Sequence, residues 1–191
     1  MWTARILLIV LLLLSGGGWF DTLLFKREKI ALLCAAPVVI GLSFLPTLRT
    51  PTVRLCFAPC ALALLIALLC PTDHPFGALF AALFGGFVGW KVCDVLPLFP
   101  EQGLLIAVPA LLFGMLFCRD VNAKALAVAA APFVMLLFQM IGDYTLFCSA
   151  VLELGTGDAL TAQSSGFLAL LIAGLMRDRI GKIRRRLHAP A

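Results

Sequence analysis

Five polar side chains in the apolar parts of the sequence have types and positions that could bind a small polar ligand or relay protons. They are Lys91, Asp94, Gln139, Asp143 and Gln163. Charged and amide groups are costly to hold in hydrocarbon, so residues of this kind mark binding sites, proton relays or hydrogen bonds between helices. We predict that these five side chains meet in the outer half of a membrane helix bundle.

The spacing of these residues leaves two interpretations open. Lys91 and Asp94 are three residues apart and can pair on one helix face. The pair lies inside the membrane if its helix continues to residue 99, and at the interface if the helix stops at Trp90. Gln139 and Asp143 share a face and fit either a ligand site or hydrogen bonds between helices. Because an unpaired carboxylate is costly in hydrocarbon, we expect Lys91 to be the partner of Asp143.

Patterns for catalysis and metal binding are weak. Cys70, Asp73 and His74 supply a thiol, a carboxylate and an imidazole within five residues, but sequence neighbours are not thereby in reacting geometry. Cys56 and Cys60 are four residues apart, without a nearby histidine or third cysteine to complete a metal site. We therefore expect no metal and no cofactor. Enzymatic activity is left open, and a non-enzymatic protein is favoured.

The elements that must position these residues follow from the composition. The chain has 191 residues, 62% of them hydrophobic and 13% charged, with a mean hydropathy of +1.07. Soluble domains carry about 25% charged residues, so a soluble globular protein, a nucleic-acid-binding domain and a disordered chain are excluded. The apolar residues form seven segments: 4–25, 30–48, 55–70, 76–90, 103–118, 125–141 and 159–176.

These segments predict an all-α, polytopic membrane helix bundle, because only helices or closed barrels satisfy backbone polar groups in hydrocarbon. We predict seven transmembrane helices, with six possible if one segment is cleaved or re-entrant. The fourth segment is extendable to residue 99 and the sixth to residue 152. The first resembles a signal peptide but lacks a clear cleavage site, so we predict that it is retained.

The distribution of lysine and arginine predicts the orientation. With the C-terminus in the cytoplasm, 11 basic residues lie inside and 4 outside, as the positive-inside rule requires. The sequence thus predicts one transmembrane domain over residues 1–176 and a basic cytoplasmic tail over 177–191, in a multi-pass protein of the cell membrane. The expected partners are the lipid bilayer and anionic lipid at the tail, and no nucleic acid.

A stripe of small residues marks the fourth segment as a packing surface. Gly77, Ala81, Gly85 and Gly89 recur every four residues, which lets two helix backbones approach closely. A second row lies beside the first and consists of Ala78, Ala82 and Gly86. We favour packing inside the bundle, while a partner membrane helix or a second copy of the chain stays open.

Two stretches of the sequence resemble a known family. Residues 19–27 read WFDTLLFKR, and Gly142, Asp143 and Tyr144 precede a final span that opens near Ser165. Together with the length and the basic C-terminus, these stretches resemble the small YphA-like membrane proteins of endospore-forming bacteria. The resemblance implies a multi-span bacterial inner-membrane protein without an assigned activity, so it carries over no functional residues.

Two functions are compatible with these features. The first is a non-enzymatic subunit that works through helix packing or assembly, as the small-residue stripe suggests. The alternative is a small-molecule-binding transport protein, similar in size to the substrate-binding subunits of energy-coupling-factor vitamin transporters. The two differ in whether the five polar side chains converge on a cavity.

Overall fold

The structure is a computed structural model, and it describes residues 2–17, 26–50, 53–69, 71–99, 101–147 and 152–187. Within these ranges the chain forms seven helices and three short strands. The helices are α1 (Trp2–Gly16), α2 (Lys26–Leu42), α3 (Phe57–Leu69), α4 (Pro75–Val95), α5 (Gln102–Phe117), α6 (Val121–Phe147) and α7 (Gly157–Leu187). The strands are β1 (Leu48–Arg49), β2 (Val53–Leu55) and β3 (Leu152–Leu154).

Three helices are long and apolar enough to cross a membrane. They comprise Pro75–Val95, Val121–Thr145 and Gly157–Lys182. Three more helices are apolar but shorter, namely Trp2–Gly16, Phe57–Leu68 and Gln102–Phe117. The predicted helical membrane framework therefore has three helices of spanning length among the described residues. The predicted first segment extends to residue 25, and its part from 18 to 25 lies outside the described residues.

Helix α7 differs most from its predicted length, since the sequence suggests an end at residue 176 and the helix continues to Leu187. Nothing between these positions breaks a helix apart from Gly181. An ion pair between Lys182 Nζ and Asp178 Oδ2, at 2.7 Å, stabilises the extension at i, i+4 spacing. Most of the predicted basic tail is thus the end of a helix, and residues 188–191 lie outside the described residues.

Successive helices alternate in direction, so the bundle has two distinct ends. The sheet end contains the start of α1, the three strands and the α4–α5 connection. There, Thr3 Oγ1 donates a hydrogen bond to Glu101 Oε1 at 2.7 Å. The tail end contains the α3–α4 and α5–α6 connections and the C-terminal part of α7. There, Asn122 Nδ2 donates to the carbonyl oxygen of Pro71 at 3.1 Å.

A small sheet, which the sequence analysis did not predict, joins two distant connections at the sheet end. β1 and β2 form an antiparallel hairpin with Arg49 opposite Arg54. β3 pairs in parallel with β2, which places Arg54 in register with Glu153. Directly after β3, Gly155 has a φ of +83°, a conformation that other residues rarely adopt. This glycine lets the chain turn from the sheet into α7.

The buried side chains form two contrasting layers and a further cluster on α5, α6 and α7 that includes Ile106, Met135 and Leu136. The leucine layer joins α1, α2, α3 and α7 and consists of Leu8, Val39, Leu62 and Leu160 with two alanines, Ala4 and Ala58. The alanine layer joins α4, α5 and α6 through small side chains, with Val128 its only larger buried member among the described residues: Ala78, Ala81, Ala82, Ala110, Cys118, Ala123, Ala127, Val128 and Ala131. Helix α7 contacts α1, α3, α5 and α6, so it links the two layers.

Candidate functional site

The first row of small residues on α4 lies against α5. A Cβ atom added to Gly85 would be 2.9 Å from the Cα atom of Ala110. One added to Gly77 would be 3.1 Å from the carbonyl oxygen of Phe117. Since Ala81 is fully buried in the same row, the backbones of α4 and α5 are in direct contact. Gly89 leaves slightly more room, with its nearest neighbour Ile106 at 3.6 Å.

The second row of α4 lies against α6. A Cβ atom on Gly86 would be 2.7 Å from the carbonyl oxygen of Ala131 and 2.9 Å from the backbone nitrogen of Met135. The two alanines of this row, Ala78 and Ala82, are buried. Both small-residue rows of α4 are therefore occupied within the chain, and the larger side chains of α4 lie on the opposite side.

Lys91 and Asp94 form an exposed pair at the sheet end of α4. Their Nζ and Oδ2 atoms are 3.6 Å apart, and both side chains are about half exposed to the surroundings of the protein. Lys91 Nζ also lies 3.6 Å above the centre of the Trp90 ring, a favourable cation–π arrangement. The sequence left open whether this helix stops at Trp90 or continues to residue 99. Because α4 ends at Val95, its end falls between these two positions and the pair lies in its last turns.

Gln139 and Asp143 are exposed on α6. Among the residues that the structure describes, no ion pair joins Asp143 to Lys91, whose carboxylate partner is Asp94. The expected Lys91–Asp143 pair is therefore corrected. Lys91 is held instead on its own helix, by Asp94 and by the ring of Trp90. That indole stacks on Phe138 of α6 with ring centres 6.0 Å apart, and a Cβ atom added to Gly142 would be 3.1 Å from it.

Gln163 is the one member of the predicted set that is fully buried. Its Nε2 atom donates to the carbonyl oxygens of Ala129, at 2.9 Å, and Pro59, at 3.3 Å. The side chain therefore ties α7 to α6 and α3. Gln163 Oε1 has no hydrogen-bond partner among the described residues.

The five predicted site residues thus fall into three places. Lys91 pairs with Asp94 on α4, Gln139 and Asp143 are exposed on α6, and Gln163 is enclosed among α3, α6 and α7. What this arrangement offers chemically is an exposed ion pair and a buried amide with a free acceptor. It brings no nucleophile and base together from this set.

Sequence reasoning missed a polar cluster at the sheet end. Arg5 Nη2 donates to the carbonyl oxygen of Ser43 at 2.6 Å, and Arg5 Nε donates to its hydroxyl at 3.0 Å. The guanidinium also lies 3.8 Å from the centre of the Phe44 ring. The partners are 38 residues apart in sequence, so no local spacing signals this contact. Its role in the fold is to tie the start of α1 to the end of α2.

Two of the described cysteines, Cys56 and Cys118, are buried, whereas Cys34 is exposed. Burial raises the pKa of the Cys56 and Cys118 thiols, which lie just outside helices. A protonated thiol is a poor nucleophile and a poor metal ligand. No group of three or more His, Cys, Asp or Glu side chains in the described ranges could hold a metal ion. Cys70 of the Cys–Asp–His stretch lies outside those ranges, while Asp73 and His74 are exposed.

Fold and site together define an α-helical protein with three helices of membrane-spanning length. Comparison of the chain with protein-family models, with curated proteins and with solved structures gives no match. The resemblance to the YphA-like proteins therefore stays a prediction. Its first stretch, 19–27, lies mostly outside the described residues.

Proposed function

We propose that the chain is a multi-pass protein of the cell membrane with seven inserted helices, its N-terminus outside and its C-terminus in the cytoplasm. The support is the charge difference between the two ends of the bundle. The tail end holds 11 basic residues and the sheet end 4, and basic residues favour the cytoplasmic side. The hydrogen bonds of Thr3 with Glu101 and of Asn122 with Pro71 support the grouping of the connections into these two ends.

Reporter fusions test this topology. A fusion ending at Gly157 should report the outside and a fusion ending at His188 the cytoplasm, because α7 separates them. Both reporters on one side would contradict the proposed number of spans. If the fusion at Gly157 reports the cytoplasm and the fusion at His188 reports the outside, the proposed orientation is wrong but the crossing by α7 stands.

Within this topology, the chain works as a non-enzymatic subunit that assembles through helix packing. The observation that carries this proposal is the aromatic surface on α4 and α5, defined by the exposed Phe84 and Phe117 and the partly buried Phe113. Phe84 stacks on Phe113 and on Phe117, with ring centres 5.8 and 5.7 Å apart. Since the small-residue rows of α4 are occupied internally, a second copy of the chain or a partner helix would use this larger-residue surface. Aromatic clusters are common anchors in such interfaces.

A variant pair tests the assembly. Phe84 is 41% exposed on the aromatic surface, and Leu64 is 62% exposed on α3. We expect Phe84→Ala to lower the fraction of dimer, or of complex with a defined partner, measured by native mass spectrometry from lipid nanodiscs. Leu64→Ala should leave that fraction unchanged. A wild-type chain that is purely monomeric, and binds no partner helix, would contradict the proposal.

The alternative is a small-molecule-binding transport protein, and one observation favours it. Gln163 Oε1 is a buried acceptor without a partner among the described residues, and such an atom is costly unless something donates to it. A ligand with an N–H or O–H group would satisfy it. If this function is correct, wild-type protein released from membranes should retain a small molecule that Gln163→Leu loses and Gln139→Leu keeps. A wild-type protein without any retained molecule would rule it out.

A further inference from the structure

Helix α7 is longer than a membrane requires. Its 31 residues span about 46 Å at the α-helical rise, whereas the hydrocarbon core of a bilayer is about 30 Å thick. Its apolar sequence ends at Met176, about 30 Å from the start of the helix. The remaining 11 residues, 177–187, therefore continue as a helix past the hydrocarbon at the tail end of the bundle. We call this part the α7 extension.

The α7 extension carries the whole excess charge of the chain. It contains six basic residues and one acidic residue, which gives a formal charge of +5, the value for the complete chain. The acidic residue, Asp178, is held by Lys182 at 2.7 Å. Arg177 and Arg179 are exposed beside them. The remainder of the chain, taken as a whole, has nine basic and nine acidic residues and balances to zero, so the excess positive charge is concentrated at this one helix end.

An apolar line runs along one side of the α7 extension. Ile172, Met176 and Ile180 are 43%, 60% and 62% exposed, and they are spaced by four residues on one helix side. Ile183 and Leu187 follow three and seven residues after Ile180, which are also spacings of one helix side. The line begins within the membrane-spanning part of α7, where exposed apolar side chains contact lipid. It therefore extends a lipid-facing side into a segment that is otherwise basic.

From this combination we infer that the α7 extension binds the anionic surface of the cytoplasmic leaflet. Its first turn, which follows Met176 and carries Ile180 on the apolar line, lies at the level of the headgroups, and its nearby arginines and lysine are attracted by lipid phosphates. The inference rests on the proposed membrane insertion and orientation. A basic helix with an apolar side fits an anionic lipid surface. An acidic nucleic acid would match the charge but would leave the apolar line exposed to water.

The test is amide hydrogen exchange of the full chain in lipid nanodiscs. One set of nanodiscs contains phosphatidylcholine alone, and the other contains phosphatidylcholine with phosphatidylglycerol. We expect amides of residues 177–187 to exchange about tenfold more slowly in the anionic nanodiscs, because surface binding suppresses fraying of the helix end. Salt near 1 M should remove the difference, since it reduces the screening length to about 3 Å.

A matched pair of double variants separates local charge from total charge. Arg184→Gln with Arg185→Gln should lose most of the slowing in anionic nanodiscs. Arg49→Gln with Arg54→Gln removes the same amount of charge from the sheet end. This pair should still show the slower exchange in anionic nanodiscs. Loss of the slowing in both pairs to the same degree would overturn the inference, because the effect would then follow total charge alone.

Two further outcomes distinguish this inference from the proposed function. If wild-type protein resists extraction by carbonate but residues 177–187 exchange equally in both nanodiscs, the inference fails and membrane insertion stands. If carbonate releases the protein from membranes, insertion itself fails. Stronger slowing by double-stranded DNA than by phosphatidylglycerol would also overturn the inference.

Discussion

The two buried layers achieve close packing by opposite means. In the leucine layer, side chains such as Leu8, Leu62 and Leu160 fill the space between helices. In the alanine layer, the helices approach until backbone atoms touch, as at Gly85 and Gly86. In the membrane insertion proposed above, lipid gives helices little hydrophobic reason to associate, so both layers would depend on dispersion contacts at short range. The difference predicts that the leucine layer is sensitive to lost volume and the alanine layer to added volume.

The largest expected effect comes from added volume in the alanine layer. Gly86→Leu should destabilise the fold by about 3 kcal/mol or more, because the new side chain would meet the backbone of α6. Gly41→Leu on α2 is the matched control, since no atom lies within 4 Å of a Cβ added there. The stability of both variants is measured by size-exclusion profiles and by SDS unfolding in mixed micelles. Similar behaviour of the two variants would remove the distinction between the layers.

Lost volume in the leucine layer should have the next largest effect. Leu8→Ala deletes a side chain that is 2% exposed, and the cavity should lower the free energy of unfolding by about 2–3 kcal/mol. Leu13→Ala on the same helix is the control, because Leu13 is 66% exposed. The same SDS titration gives both values. A milder effect for Leu8 than for Leu13 would show that α1 does not pack as described.

Removing the hydrogen bonds of Gln163, which link the two layers, should lower the free energy of unfolding by a smaller amount. Gln163→Leu breaks the hydrogen bonds to Ala129 and Pro59 but also removes the unpartnered Oε1 atom. We expect a loss of about 1 kcal/mol in unfolding free energy, typical of hydrogen bonds between membrane helices. Gln139→Leu, on an exposed position, should have no measurable effect. A loss of several kcal/mol at Gln163 would indicate that the amide holds more than these two contacts.

The smallest effect is expected at the exposed ion pair outside both layers. Lys91→Gln should change the unfolding free energy by less than about 0.5 kcal/mol, because both partners are about half exposed and such pairs contribute little. Thermal unfolding at low and high salt checks this value. A strong loss that vanishes at high salt would mean that Lys91 acts on more than Asp94.

Local spacing accounts for the parts of the molecule that the sequence predicted. The apolar blocks are long, so the helices and the membrane character follow from length and composition. The three-residue spacing of Lys91 and Asp94 is sufficient to bring them together on one helix. In both cases the relevant contacts lie within a few turns of a single helix.

The parts that sequence reasoning missed depend on distant contacts. Strands of two or three residues have too little periodicity to detect, and β2 finds its parallel partner nearly a hundred residues later. The stacking of Trp90 on Phe138 depends on how α4 and α6 meet, which no local pattern encodes. The partners of Gln163 are carbonyl oxygens 34 and 104 residues away. Backbone carbonyls carry no residue signature, so such bonds are invisible in a single sequence.

The parallel pairing of β2 with β3 has a consequence for the order in which the protein is made. β2 leaves the ribosome roughly a hundred residues before β3, and domains generally begin to fold from the N-terminus during synthesis. Until α6 is complete, the edge of β2 that later pairs with β3 has no partner. An unpaired strand edge can form hydrogen bonds with an incorrect strand. Arg54 places a positive charge in the middle of β2, the strand whose edge is unpaired at that stage, and charge on an edge strand disfavours incorrect pairing. The sheet can therefore close only after Leu152–Leu154 has been synthesised, late in the chain.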